Sequence, residues 1–70
     1  MPQAAKVMSR TLAIEIATKT MTVINPANRG LRMNDLLEKH GFRSVREPEL
    51  DIVSDQGRLV AWLRETFKTN

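Results

Sequence analysis

The chain has 70 residues, a formal net charge of +3, a sequence pI near 10.0 and no cysteine. A chain this short buries only about 60% of the surface that its unfolded form exposes, which excludes a second hydrophobic core. The longest apolar run, Leu59–Leu63, falls far short of the roughly 20 residues that a transmembrane helix needs, and disulfides are impossible. We therefore expect one small domain over residues 1–70, soluble and cytoplasmic, with no membrane partner.

Charge is distributed unevenly along the chain. Residues 1–46 carry eight Lys and Arg against three Asp and Glu, a net charge of +5. Residues 47–70 carry three basic side chains against five acidic ones, a net charge of −2. Such asymmetry is expected of a protein with one surface that attracts anions, and a basic balance favours acidic partners such as nucleic acid.

The segment Thr11–Ile24 predicts a long strand. Apolar residues alternate with small or charged ones in its first half, and β-branched residues dominate its second half. Because so many Thr, Ile and Val side chains lose rotamer freedom in a helix, we favour a strand, bent or bulged. Its length is unusual, since strands most often have about 5–6 residues.

A helix is the alternative for this first third of the chain. Apolar residues there also recur at spacings of three and four, and a proline stands where a first helical turn accepts it. The residues concerned are Pro2, Ala5, Met8, Leu12 and Ile16. We expect residues 1–9 to form an arm that is either helical or disordered, and the sequence leaves open whether residues 2–18 are helix or strand.

The segment Asn25–Gly30 predicts a loop, because proline excludes the preceding residue from helical space and glycine permits positive φ. A helix is predicted to follow over Leu31–His40. Its apolar face consists of Met33, Leu36, Leu37 and His40. Two asparagines can cap its start, Asn28 and Asn34. Gly41 is expected to end it in the left-handed conformation, with Phe42 folding back onto the helix.

The last third of the chain predicts a short strand and a second helix. Leu50–Val53 has the alternation of a strand, and the proline just before it marks a start or an edge. The helix is predicted over Gln56–Lys68, with Ser54 or Asp55 as its N-cap. Its apolar stripe consists of Leu59, Val60, Trp62, Leu63, Thr66 and Phe67.

This order of elements predicts an α+β fold, a small two-helix domain on a short sheet made of the long N-terminal strand and the short strand. A two-stranded sheet is marginal in isolation, so pairing across a twofold axis would complete it. We therefore expect a homodimer. The aromatic residues, Phe42, Trp62 and Phe67, are predicted to lie in the core, which leaves none for stacking on single-stranded nucleic acid.

The chain offers little for catalysis. It has one histidine and no tyrosine, and His40 is interpreted as a helix-capping or core-edge residue because no second ligand or base stands at a useful spacing. The row Glu47, Glu49 and Asp51 is interpreted as a solvated acidic sheet edge. We therefore expect a protein that is not an enzyme and has no catalytic residues, metal or cofactor.

The stretch Asn25–Arg46 is rich in cations and asparagines, which are donors to phosphates and base edges. It predicts a small regulatory or accessory protein that binds double-stranded nucleic acid, with arginines on phosphates and asparagines on bases or backbone. The candidate residues are Asn28, Arg29, Arg32, Asn34, Lys39, Arg43 and Arg46.

Two short resemblances lie in the same stretch. Leu36–Ser44 resembles the first helix and turn of a helix-turn-helix, and Gly41–Ser44 is similar to the turn between the helices of ribbon-helix-helix repressors. Both resemblances imply a DNA-binding protein. Both families continue directly into another helix, whereas Pro48 breaks the hydrogen-bond ladder there, so we assign no family.

The alternative function is a protein–protein interaction module, an adaptor or inhibitor. It would dock on a larger protein through the edge of the Thr11–Ile24 strand or through the acidic segment Glu47–Asp55.

Overall fold

A computed structural model of the chain describes residues 6–46 and 52–68. These residues form three α-helices: α1 over Arg10–Met21, α2 over Arg29–Lys39 and α3 over Gln56–Thr66. A 3₁₀ turn, Pro26–Asn28, leads into α2. No strand occurs in these two ranges, so the predicted α+β fold is wrong and the domain is all-helical.

Helix α1 replaces most of the predicted strand Thr11–Ile24. Ser9 caps its start, since the Ser9 hydroxyl accepts a hydrogen bond from the Leu12 amide at 3.1 Å. The buried positions are Ala13, Ile16, Ala17 and Thr20, a spacing of three and four. Ile14, which a strand would place on the same face as Ile16, is 41% exposed.

The physical reason for this error is that packing outweighs local propensity. An Ile or Thr in a helix costs no more than about 0.7 kcal/mol relative to Ala, whereas burying one Ile side chain contributes about 1.5–3 kcal/mol. The helical alternative was therefore closer, although α1 begins only at Arg10 and residues 6–9 are not helical. Pro2 and Ala5 lie outside the described residues.

Helix α2 confirms the predicted second helix, with a start two residues earlier at Arg29. Its buried residues are Met33, Leu36 and Leu37, as expected. Gly41 has a φ of 83°, which confirms the left-handed C-cap. The Gly41 amide donates to the Glu38 carbonyl at 3.0 Å and the Phe42 amide to the Leu37 carbonyl at 2.8 Å, the two bonds of a Schellman motif.

Helix α3 confirms the predicted C-terminal helix, which ends at Thr66 rather than Lys68. Asp55 is its N-cap, with a carboxylate oxygen 2.9 Å from the Arg58 amide. The predicted strand Leu50–Val53 is wrong where it is described, because Ile52 and Val53 lie in a turn. Its first two residues lie outside the described ranges. Residues 40–55 separate α2 from α3, which is too long for a helix-turn-helix.

Helix α1 is the centre of the domain, and both α2 and α3 pack against it. Two small residues on its buried face, Ala13 and Ala17, allow the other helices to approach closely. The core is completed by Leu59 and Leu63 of α3 and by other buried apolar side chains, namely Met8, Ile16, Met33, Leu36, Leu37, Phe42, Val45 and Phe67. The core prediction is confirmed for Phe42 and Phe67, and Trp62 packs half-buried against the core.

Helices α2 and α3 both run antiparallel to α1. The Met8 amide donates to the Phe67 carbonyl at 2.9 Å, whereas Gln56 at the start of α3 bonds Thr18 near the end of α1 at 3.0 Å. His40, just after α2, lies 4.0 Å from Glu15 in the first half of α1. The start of α1 and the ends of α2 and α3 therefore share one end of the bundle.

Candidate nucleic-acid interface

Arg29, the first predicted phosphate ligand, is a structural residue. Its Nε donates to the Val23 carbonyl at 2.9 Å and its Nη1 donates to the Val53 carbonyl at 3.2 Å, and the side chain is partly buried. One guanidinium thus joins the loop after α1 to the turn that precedes α3. Its fixed fork of donors suits two carbonyls from separate segments.

Asn34, predicted to contact a base or the nucleic-acid backbone, is also occupied. Its Nδ2 donates to the Val45 carbonyl at 3.1 Å and its Oδ1 accepts from the Val45 amide at 2.9 Å. The side-chain amide pairs with Val45 as a neighbouring strand would. This pair holds residues 42–46 along α2, and Val45 itself is buried.

The other candidates are exposed. Arg32 and Lys39 lie on the solvent side of α2 together with Asp35 and Glu38, so the charges on this side balance. Asn28 precedes α2, and its side chain makes no capping hydrogen bond. The remaining exposed candidates are Arg43 and Arg46. Of the seven predicted residues, two are therefore bonded to backbone groups and five are exposed.

A different group of cations gathers where the ends of α2 and α3 meet the start of α1. Its centre is an edge-to-face pair of buried rings, Phe42 and Phe67, with centroids 5.0 Å apart. The Lys6 ammonium lies 5.0 Å from the centre of the Phe42 ring and donates a hydrogen bond to the His40 carbonyl. The Arg43 guanidinium lies 5.3 Å from the centre of the Phe67 ring. Each ring thus makes a cation–π contact with one exposed cation.

Two further cations project from the end of α3. Arg64 and Lys68, one helical turn apart, line a groove of about 270 Å³ whose other wall is the N-terminal segment Val7–Met8. Lys68 also pairs with Glu65 at 2.7 Å. We call the four exposed cations Lys6, Arg43, Arg64 and Lys68 the basic pole.

The helix ends explain why cations gather there. The carboxyl ends of α2 and α3 each carry roughly half a negative charge, which favours Lys and Arg in and just after the last turn. Glu65, which pairs with Lys68, and the partial negative charges of these two helix ends compensate part of the positive charge there. The basic pole therefore lies where the partial charges of two helix ends favour cations.

Beside this pole, Glu15 is held in its charged form. Lys19 donates a hydrogen bond to Glu15 at 3.0 Å, and this contact lowers the pKa of Glu15 below its ordinary value of 4.5. The positive charge of Lys19 acts in the same direction, and His40 and Lys39 contribute less. His40 occupies the C-cap position of α2, as interpreted from the sequence.

Sequence reasoning missed Lys6, Arg64 and Lys68 as members of a common surface. Arg64 and Lys68 could have been grouped from the sequence, because both lie near the carboxyl end of the predicted C-terminal helix, where cations are favoured. Nothing in the sequence showed that this end meets the Gly41 turn. Of the candidate residues, Arg43 belongs to the basic pole through its contact with the Phe67 ring.

Within residues 6–46 and 52–68, no group of three or more His, Asp or Glu side chains is placed to hold a metal ion. No helix in the same residues is both long and apolar enough to cross a bilayer. Comparison with protein-family models, with curated proteins and with solved structures gives no match for this chain.

Proposed function

We propose that this chain binds double-stranded nucleic acid through its basic pole. The observation that carries the proposal is the gathering of four exposed cations, Lys6, Arg43, Arg64 and Lys68, at one end of the bundle. Phosphates are the ligands that such cations favour, and neutralising them releases the counterions of the duplex. The proposal includes a cytoplasmic location, because nucleic acid is accessible there and a chain without cysteine suits a reducing compartment.

The proposed binding is largely independent of base sequence. Lys and Arg on phosphates set affinity and position, whereas side-chain amides read base edges. Asn34 is bonded to Val45, and Asn28 lies before α2, at the opposite end of that helix from the Gly41 turn. We therefore expect a weak complex, with a Kd of about 10⁻⁴–10⁻⁶ M at physiological salt, as for non-specific binding in general.

The salt dependence of duplex affinity is the first test of the proposal. Each phosphate neutralised contributes about −0.9 to the slope of log K against log salt, so four cations set a limit near −3.6. The experiment is fluorescence anisotropy of a labelled duplex of random sequence, titrated at several salt concentrations. A slope between about −2 and −3.6 supports the proposal. Undetectable binding at low salt would overturn it.

A matched pair of variants tests the location. Arg58 and Arg64 are exposed on the same helix, one in its first turn and the other in its last. Arg64→Glu should weaken duplex binding by about tenfold or more at 50 mM salt, whereas Arg58→Glu, with the same change in net charge, should change it less than about threefold. Circular dichroism confirms that both variants are folded.

Two outcomes contradict the proposal even if binding is seen. An equal loss in Arg58→Glu and Arg64→Glu would show attraction by net charge without a site. Equal affinity for polyglutamate and for the duplex at matched charge concentration would show a general preference for polyanions rather than a nucleic-acid function.

Two exposed apolar side chains support a second candidate function, protein association. Ile24 is 92% exposed and Leu31 is 71% exposed, in the loop before α2 and in its first turn. The edge strand that was expected to dock on a partner is helix α1, and the homodimer expected from sheet pairing loses that basis too. We propose a second copy of this chain as the partner, because burying these side chains against each other is favourable.

Sedimentation velocity over a concentration series tests this second candidate. We expect a dimer at high concentration that the double variant Ile24→Ser, Leu31→Ser loses. A monomer at every concentration would remove the candidate and would leave the nucleic-acid proposal untouched.

A further inference from the structure

The groove beside the basic pole combines an apolar floor with a cation. Its apolar lining consists of Val7, which is 59% exposed, of the exposed Ala61, and of Met8, which is buried with 1% exposed. The groove is fixed in place, because the Met8 amide is bonded to the Phe67 carbonyl at 2.9 Å and so holds the N-terminal segment against the end of α3.

The charges along the groove are not equivalent. Lys68 is already paired with Glu65 at 2.7 Å. Arg64 has neither an ion pair nor a hydrogen bond from its side chain within the described part of the chain, so its donors face solvent. A guanidinium offers parallel N–H donors that match the two oxygens of a carboxylate. Arg64 is therefore the group in this groove that is most suited to a carboxylate.

From this arrangement we infer that the groove binds a small amphipathic anion, a monocarboxylate on a short aliphatic chain. The carboxylate pairs with Arg64, and the aliphatic chain covers the exposed apolar side chains Val7 and Ala61. This site does not depend on the nucleic-acid proposal, since it requires an apolar body that a phosphate backbone does not provide.

Size and charge restrict the ligand. The volume of about 270 Å³ lies just below the roughly 300–1,000 Å³ of pockets that hold drug-sized molecules, which favours a ligand of few atoms. Arg64 and Lys68, less Glu65 and the half charge at the end of α3, leave only a slight positive excess. That excess suits a monoanion better than a dianion, and we expect a Kd of about millimolar order for so few contacts.

The test uses three probes in an NMR titration of the full chain labelled with ¹⁵N. Hexanoate has both the charge and the chain, hexanol has the chain alone, and acetate has the charge alone. We expect hexanoate to shift the amides of residues 7–8 and 61–68 and to bind at least about tenfold more tightly than either of the others. Equal binding of hexanol, or hexanoate shifts spread over other surfaces, would overturn the inference.

Two variants test the site, and the second, Ala61→Leu, separates it from the nucleic-acid proposal. Arg64→Gln should weaken hexanoate binding about tenfold, whereas the control Arg58→Gln should leave it unchanged. Ala61→Leu, an exposed helix position that accepts leucine well, should fill the groove and abolish hexanoate binding while duplex binding persists. Hexanoate binding that survives both Arg64→Gln and Ala61→Leu would refute the site, whatever the result with the duplex.

Discussion

Asn34 and Val45 exchange two hydrogen bonds, at 3.1 and 2.9 Å, so that one side chain of α2 pairs with the backbone of the segment that follows the Gly41 turn. This pairing satisfies both polar backbone groups of Val45, a residue that is 6% exposed. It also explains how a segment without helix or strand remains packed against α2, since buried backbone groups need partners.

Replacing Asn34 should therefore destabilise the domain. Asn34→Ala leaves both polar backbone groups of Val45 without this partner, and we expect the free energy of unfolding to fall by about 2–4 kcal/mol. Urea denaturation followed by circular dichroism measures the loss. Asn34→Asp keeps the acceptor but places a charged oxygen against the Val45 carbonyl, so it should also destabilise the domain. If Asn34→Ala is as stable as the natural sequence, the pairing contributes nothing.

Arg29 should matter for stability and Arg32 should not. Arg29 donates to the Val23 and Val53 carbonyls, whereas Arg32, one turn later on α2, is exposed. Hydrogen bonds from a charged group contribute about 1.5–3 kcal/mol. Because the Arg29 side chain is only partly buried, Arg29→Ala should lower the free energy of unfolding by about 2 kcal/mol. Arg32→Ala should stay within about 0.5 kcal/mol of the natural sequence. Equal denaturation midpoints for the two variants would contradict the structural role of Arg29.

Thr20 carries a fully buried hydroxyl that has no hydrogen-bond partner within residues 6–46 and 52–68. Thr20→Val replaces this hydroxyl by a methyl group of similar size, which removes the cost of burying an unpaired polar atom. We expect thermal unfolding to show a stabilisation of about 1 kcal/mol. Thr20→Ser is the opposite control, because it keeps the hydroxyl and removes the methyl group, and it should destabilise the domain. A destabilised Thr20→Val would mean that the hydroxyl has a partner in solution.

Glu15 should titrate below its ordinary pKa of 4.5, chiefly because Lys19 donates a hydrogen bond to its carboxylate. A carboxyl whose pKa is lower in the folded chain than in the unfolded chain adds stability above the unfolded pKa. That contribution is lost as the pH falls from about 4.5 through the folded value. NMR titration of the Glu15 side chain measures the pKa directly.

The control for this titration is Lys19→Met, which removes both the hydrogen bond and the charge. The pKa of Glu15 should then rise towards 4.5, and the fall in stability over the same pH range should become shallower. An unchanged pKa in Lys19→Met would assign the shift to His40 and Lys39 instead.

Helices α2 and α3 could be predicted from the sequence because their apolar faces and caps involve residues close together along the chain. The apolar spacing of Met33, Leu36 and Leu37 and the left-handed glycine after them define α2 within two residues of its observed start. The start of α3 is likewise defined locally, because the Asp55 carboxylate accepts a hydrogen bond from the Arg58 amide. Caps and periodic faces involve residues a few positions apart, so their energies can be judged from sequence alone.

The first helix could not be identified in this way. The β-branched residues of Thr11–Ile24 favour a strand locally, and the helical spacing of Ala13, Ile16, Ala17 and Thr20 gains its advantage only when α2 and α3 cover that face. Propensity is a small local term, whereas burial depends on the neighbours that the fold provides. The choice between strand and helix was therefore made by packing.

By itself, the sequence determined the positive charge, the single small core, the glycine cap at the end of α2 and the N-cap of α3, because each depends on composition or on close neighbours along the chain. Tertiary structure alone decided which cations are occupied and which gather. In the folded chain, Arg29 and Asn34 bond backbone groups. Lys6, Arg64 and Lys68 lie with Arg43 in the basic pole, at one end of the bundle. The reason is that the partner of a long polar side chain is set by the packing of distant segments, which no local spacing encodes.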